Sequence, residues 1–254
     1  MKVRILGSGT SSGVPRIGND WGQCDPHEPR NARTRAAILV EHEGTRILVD
    51  TGPDMRAQLL AADVDGVDAI LWTHEHADHV FGIDDVRQLF HARGSAVPGY
   101  ARAATERRLR AQFGYVFEGR HGYPPTVALA TMPDRFEVGD ITIRAVDQPH
   151  GAITSAGLRF EAGGVAIGYA TDVSGMTDAM RALYAGLDVW IVDALRRRPH
   201  PSHPDLATAL GWIAELKPAR AALTHMDQSM DYATLLAELP EGVEPGFDRL
   251  EIAP

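Results

Sequence analysis

Thr73-His74-Glu75-His76-Ala77-Asp78-His79 follows directly on the apolar run Ala69-Ile70-Leu71-Trp72. A short apolar run that ends in a polar turn reads as a buried strand delivering side chains at its tip. On an extended backbone, His74 and His76 lie two apart and point the same way. Asp78 and His79 fall where the pattern turns helical, at 79–91, and so face a second point nearby. Three histidines and one aspartate in six residues make a metal donor set, which a solvated polar turn has no need of. Imidazole with carboxylate suits Zn or Mn, with Fe a further option. The stretch reads as half of a dinuclear site.

Two ions need more donors than this stretch holds, so His and Asp at other strand ends become candidates. Strand-like runs recur at 2–6, 36–41, 45–50, 68–72, 141–147, 156–161, 165–170, 188–193 and 219–224. Helical patterns cover 54–62, 79–91, 102–112, 176–185, 204–216 and 231–238. This order fits an α/β layered fold with helices covering sheets. The segment 113–135, rich in Gly and Pro, reads as loop. His150, Asp172 and His225 each close a predicted strand. Taken singly, each also reads as a turn, cap or core residue. An Asp between two metals can bridge them with separate oxygens, the natural place for Asp172. Ile47-Leu48-Val49-Asp50-Thr51-Gly52 is echoed by Ile167-Gly168-Tyr169-Ala170-Thr171-Asp172, and Leu71-Trp72-Thr73-His74 by Ala222-Leu223-Thr224-His225. A true repeat would bring all four strand ends to one edge.

Composition bounds the partners. The 254 residues carry 44% hydrophobic and 23% charged side chains with no low-complexity run, which reads as one domain spanning 1–254. A net charge of −9 argues against a polynucleotide partner, which needs a clustered basic face. An anionic small molecule is not excluded, because bound divalent ions outweigh the distant surface field. No apolar run reaches the roughly 18 residues that span a bilayer, and no secretory hydrophobic core follows Met1. Cys24 is the only cysteine. These features predict a cytoplasmic protein without membrane contact; they allow a homodimer without specifying the oligomeric state.

HxHxDH followed by separated His, Asp and His resembles the metallo-β-lactamase superfamily along the whole chain. The opening Gly7-Ser8-Gly9-Thr10-Ser11-Ser12-Gly13-Val14-Pro15, the Thr171-Asp172 turn, Leu223-Thr224-His225 and the closing Pro245-Gly246-Phe247-Asp248-Arg249-Leu250-Glu251-Ile252 resemble the PhnP-like phosphodiesterases. The resemblance implies a four-layer αββα sandwich with two divalent ions at one edge. It implies His74, His76 and His150 on one ion, Asp78, His79 and His225 on the other, and Asp172 bridging. It also picks out His203, in Pro201-Ser202-His203-Pro204, as a catalytic group beside Asp78. Chemistry gives His203 a task, since a departing alkoxide needs a proton donor of near-neutral pKa; the competing reading is a cap on helix 204–216. Members of this group carry several cysteines and a later histidine for an extra structural zinc. Here Cys24 stands alone and Asp227 lies beyond His225, so the sequence predicts that this zinc is missing.

Three further residues are candidates for supporting or substrate-facing roles. Asp50 can hold the tautomer of a ligand histidine. Arg196, in the run 196–198, has a fork that matches phosphate oxygens, and Asp248 belongs to the closing segment. Gly7–Gly13 has the glycines of an anion cradle but no following Lys. Arg102, Arg107, Arg108 and Arg110 read as a solvated helix face. The predicted activity is hydrolysis of a small cyclic phosphate or nucleotide-like phosphodiester by water activated between two ions. Alternatives are a ribonuclease Z-like processing enzyme, a lactonase or thioesterase, and a non-catalytic metal-binding module.

Overall fold

The computed structural model describes residues 1–254. The first half runs β1 (Lys2–Gly7), β2 (Ala37–His42), β3 (Thr45–Val49), α1 (Met55–Ala61), β4 (Ala69–Trp72), α2 (Ala77–Val80), α3 (Val86–Arg93), β5 (Val97–Ala101), α4 (Ala103–Glu118) and β6 (Val127–Thr131). The second runs β7 (Arg135–Val138), β8 (Ile141–His150), β9 (Ile153–Ala162), β10 (Val165–Ala170), α5 (Asp178–Tyr184) and β11 (Val189–Asp193). It closes with α6 (Leu206–Leu216), β12 (Arg220–Thr224), α7 (Tyr232–Glu238), β13 (Val243–Pro245) and β14 (Glu251–Ile252). One sheet has the order β14-β1-β2-β3-β4-β5-β6, the other β13-β12-β11-β10-β9-β8-β7.

Alternation along each strand divides the apolar residues between two faces. In β3, Ile47 and Val49 enter a core shared with Leu158, Phe160, Ile167 and Ile191 of the other sheet. Leu48 faces the opposite way, into a core with Trp72 and the helices of the first half. Trp190 and Val192 of β11 likewise pack under α5 and α6. Three apolar interfaces separate four layers, the αββα sandwich that the resemblance implied.

All nine predicted strands form. The differences lie where tertiary contacts overrule local pattern. The helix expected at 79–91 is broken into α2, a 3-10 turn at Ile83–Asp85 and α3. The break sits at Gly82, whose N–H donates to Thr51 O at 2.8 Å; a Cβ there would lie 2.1 Å from Gly52 O. Only glycine lets the two backbones meet this closely. The predicted loop 113–135 instead contains the last turn of α4, bent at Phe113, and all of β6. β5 is absent from the strands read from the sequence, because Pro98 and Gly99 interrupt its apolar run. In the sheet, Gly99 makes room for Trp72, since a Cβ would sit 2.8 Å from its ring.

The early loop is fastened to the segment after β12 by a buried arginine. Arg33 is 2% exposed; its Nη2 donates to Met230 O at 2.6 Å and its Nη1 approaches Cys24 Sγ at 3.8 Å. Asn31 Nδ2 donates to Asp231 Oδ2 at 2.7 Å and Asn31 Oδ1 accepts from Tyr232 N at 2.8 Å. Burial lowers the Arg33 pKa, with the Cys24 sulfur beside it opposing, and burial raises the Cys24 thiol. Arg33→Ala leaves these acceptors unpaired in a dry site, so urea unfolding is expected to show a loss of roughly 2–4 kcal/mol. Cys24→Ala, which removes one sulfur atom, is expected to cost only about 1 kcal/mol. The reverse ranking would contradict this account of the loop.

Candidate metal centre

β3, β4, β10, β11 and β12 end at the same edge of the sandwich, and the polar residues just past their ends converge there. Asp50, Asp172 and His225 take positive φ values of 68°, 54° and 58°. That left-handed turn aims each side chain back across the strand tips at a cost of order 1–3 kcal/mol apiece. The halves of the internal echo thus occupy corresponding places. β4 stops at Trp72, so His74 and His76 project from the connection to α2 and not from the strand itself. Their rings are still neighbours, with centroids 4.5 Å apart.

The donors fall into two groups around the two oxygens of Asp172. Oδ1 lies 3.7 Å from His74 Nε2 and 3.5 Å from His150 Nε2, which is itself 3.3 Å from His76 Nδ1. Oδ2 lies 3.1 Å from His79 Nε2 and 3.5 Å from His225 Nε2, and Asp78 Oδ2 is 3.4 Å and 3.5 Å from the same two nitrogens. Ligand atoms around a tetrahedral Zn with bonds of about 2.0–2.1 Å stand roughly 3.3–3.4 Å apart. His74 Nε2 and His79 Nε2 are fully buried without any hydrogen-bond partner. Orphaned imidazole nitrogens aimed at a shared carboxylate fit a cation-binding site. His76 is the exposed member of the set.

Three of the rings, those of His74, His79 and His150, are held from behind. Asp50 Oδ2 accepts from His79 Nδ1 at 2.7 Å, and the Asp50 carboxylate also accepts from Thr73 N and Oγ1, both at 2.8 Å. Thr73 Oγ1 in turn contacts His74 Nδ1 at 3.0 Å. His150 Nδ1 donates to Ser202 O at 3.0 Å. These contacts fix the tautomers that leave Nε2 facing inward. Burial disfavours charge on the His79 ring, yet Asp172, Asp78 and Asp50 hold it well above the usual imidazole range. Against the same burial, Asp172 and Asp78 raise His225 to about 9. His74, buried and facing His79, is pushed well below that range. Asp172 and Asp78 stay ionised despite burial, with His225 and His79 the chief causes. Protons here stand where divalent cations would balance the carboxylates.

His203 sits on the loop between β11 and α6. Its Nδ1 donates to Asp193 Oδ2 at 2.7 Å, its Nε2 faces Asp172 Oδ1 at 3.8 Å, and its ring stacks on His225 at 4.8 Å. Asp193 also accepts from the Asp172 N–H at 3.0 Å. Asp193 is not among the candidates read from the sequence, although it closes an apolar strand as Asp50 does. The other candidates lie elsewhere. Arg196 donates to Arg198 O and Pro199 O at 3.2 and 2.8 Å, which shapes the loop bearing His203. Asp248 accepts from Ser8 N at 3.0 Å and Thr34 N at 2.8 Å, tying the closing segment to the exit of β1. The Gly7–Gly13 amides at Ser8, Gly9, Thr10 and Gly13 are likewise occupied by protein acceptors, so that turn is no anion cradle.

Residues 45–226 match the β-lactamase superfamily domain. A solved structure described as a new diphosphatase from the PhnP family superimposes with a TM-score of 0.90 at 34% identity, covering 99% of this chain and 97% of that one. An octanoyltransferase of Porphyromonas gingivalis is 33% identical over 99% of this chain and 51% of its own length. A ribonuclease Z of Methanopyrus kandleri is 32% identical over 50% of this chain and 44% of its own length. The chain thus spans about half the length, or less, of these curated relatives. The donor geometry predicts that protein reconstituted with Zn or Mn holds about two ions per chain by elemental analysis and releases protons on loading. Asp172→Asn is expected to lose at least one of them; a wild type that stays metal-free would contradict the assignment. Matched across more than half its length and carrying this donor set, the chain belongs to the metallo-β-lactamase superfamily and is PhnP-like.

Proposed function

We propose that the chain is a metal-dependent hydrolase of a small phosphodiester, of the cyclic phosphate or nucleotide-like kind. The observation that carries this reading is the division of His74, His76 and His150 from Asp78, His79 and His225 around the two oxygens of Asp172, with His203 at its margin. Two divalent ions held there would supply an activated water at neutral pH and stabilise charge developing on the phosphoryl oxygens. The diphosphatase neighbour supports phosphorus over carbonyl carbon as the reacting centre. The charge of −9 favours a small substrate over a polynucleotide.

The protein's own residues handle position and proton. Asp193 accepts the Nδ1 proton of His203, so a second proton on the ring would sit at Nε2, facing Asp172. From there it can pass to the departing oxygen of the ester. Because Asp193 also holds the Asp172 amide, the proton donor and the carboxylate between the two donor groups share one support. The hydroxyl of Thr73 and the carbonyl of Ser202 keep His74 and His150 from rotating.

Mn- or Zn-loaded protein assayed on bis-p-nitrophenyl phosphate, a thioester and a lactone tests the reaction class. Turnover of the phosphodiester is expected; turnover of the carbonyl esters alone would overturn the proposal. His203→Ala is expected to lower kcat about 10²–10⁴-fold on an alkyl leaving group. The loss should be much smaller on nitrophenolate, which departs without a proton. Equal losses on both would remove His203 from the proton-donor role. Asp193→Asn should follow the same pattern more weakly, with metal content retained.

A further inference from the structure

Thr73 shows what a threonine does at the tip of a buried strand. Its hydroxyl lies 2.8 Å from Asp50 Oδ2 and 3.0 Å from His74 Nδ1, so one side chain joins a buried carboxylate to the rear nitrogen of a metal donor. Thr224 and His225 repeat that dipeptide at the tip of β12, and the neighbouring strand again supplies a carboxylate. Asp193 is the register partner of Thr224 in the parallel pairing of β11 with β12, so both side chains stand on the same face of the sheet. The second trio is left open. Asp193 Oδ1, Thr224 Oγ1 and His225 Nδ1 are all buried, and none has a hydrogen-bond partner.

Buried polar atoms without partners are rare, and three on adjoining residues call for one explanation. Of the four buried donor rings, those of His74, His79 and His150 have a protein atom behind Nδ1, and His225 has none. A hydroxyl donates one hydrogen bond and accepts others, so a single hydroxyl between Asp193 Oδ1 and His225 Nδ1 satisfies all three atoms. We infer that Thr224 is the positioning residue of His225: its hydroxyl accepts from Nδ1 and donates to Asp193 Oδ1. That tautomer leaves the lone pair of His225 Nε2 facing Asp78 and Asp172. Asp193 then carries His203 on one oxygen and His225, through Thr224, on the other. The two rings, stacked with centroids 4.8 Å apart, are tethered to one carboxylate, which couples the orientation of the proton donor to that of a metal donor. This inference rests on the proposed role of the metal centre, but its test reads ions and an imidazole proton, without turnover.

Competition titration against a coloured chelator reads the affinity for each of two Zn ions. T224V keeps the shape of the side chain and removes the hydroxyl; it is expected to weaken one ion roughly 10–100-fold and leave the other as in wild type. T224S restores the hydroxyl and is expected to restore the affinity. In Zn-loaded wild type labelled with ¹⁵N-histidine, NMR is expected to show a His225 Nδ1–H protected from exchange, and T224V to lose that protection. The inference is overturned if T224V holds both ions as wild type does, if T224S fails to rescue, or if the wild-type Nδ1–H is unprotected or no ion binds. Zn-loaded wild type that leaves bis-p-nitrophenyl phosphate intact, while T224V loses an ion and T224S regains it, would end the hydrolase reading and leave Thr224 in its role.

Discussion

Asp50 and Asp193, both fully buried at strand ends, are what the site hangs on. Each closes a central strand or its tip in one of the two sheets, and each turns its carboxylate toward a histidine and a backbone amide. Asp50 fixes His79 and Thr73; Asp193 fixes His203 and the amide of Asp172. Burial raises the Asp50 pKa, opposed chiefly by His79, so the carboxylate and the imidazole depend on each other for charge. A buried carboxylate deprived of its partner is far more costly than the pair. The two aspartates hold the positions from which the inward-facing donors are aimed.

That arrangement explains why the strand ends are strained. Asp50, Asp172 and His225 adopt left-handed backbone, which L-residues take up reluctantly. The apolar packing on both faces of each strand over-determines the backbone up to its last residue, and the polar turn beyond absorbs the distortion. The close approach of Gly82 to the 51–52 backbone serves the same end by setting α2, with Asp78 and His79, against the tip of β3. A rigid edge results, with His76 its exposed donor.

Much of this could be read along the chain. Buried strands have an apolar pattern strong enough to be recognised one at a time, and a His-rich turn after such a strand has few structural explanations. The histidines and aspartates that converge at the strand ends were legible for that reason, as was a histidine contact for Asp50, which the fold assigns to His79. Asp193 was not, because an Asp after an apolar run looks like any turn until the loop bearing His203 folds back over it. β5 and β6 were hidden by Pro98, Gly99 and the irregular segment around Phe113, residues whose conformation is set by neighbours distant in sequence. Arg196 and Asp248 carried suggestive chemistry, but their hydrogen bonds run to the loop at 198–199 and to Ser8 and Thr34.

By itself the sequence determined the donor inventory, the α/β layering and the strand ends on which the donors ride, because periodicity and residue chemistry are local properties. Only the tertiary structure decided which oxygen of Asp172 serves which group of histidines and which carboxylate stands behind each ring. Those are matters of distance and direction between segments far apart in the chain, and no local pattern encodes them.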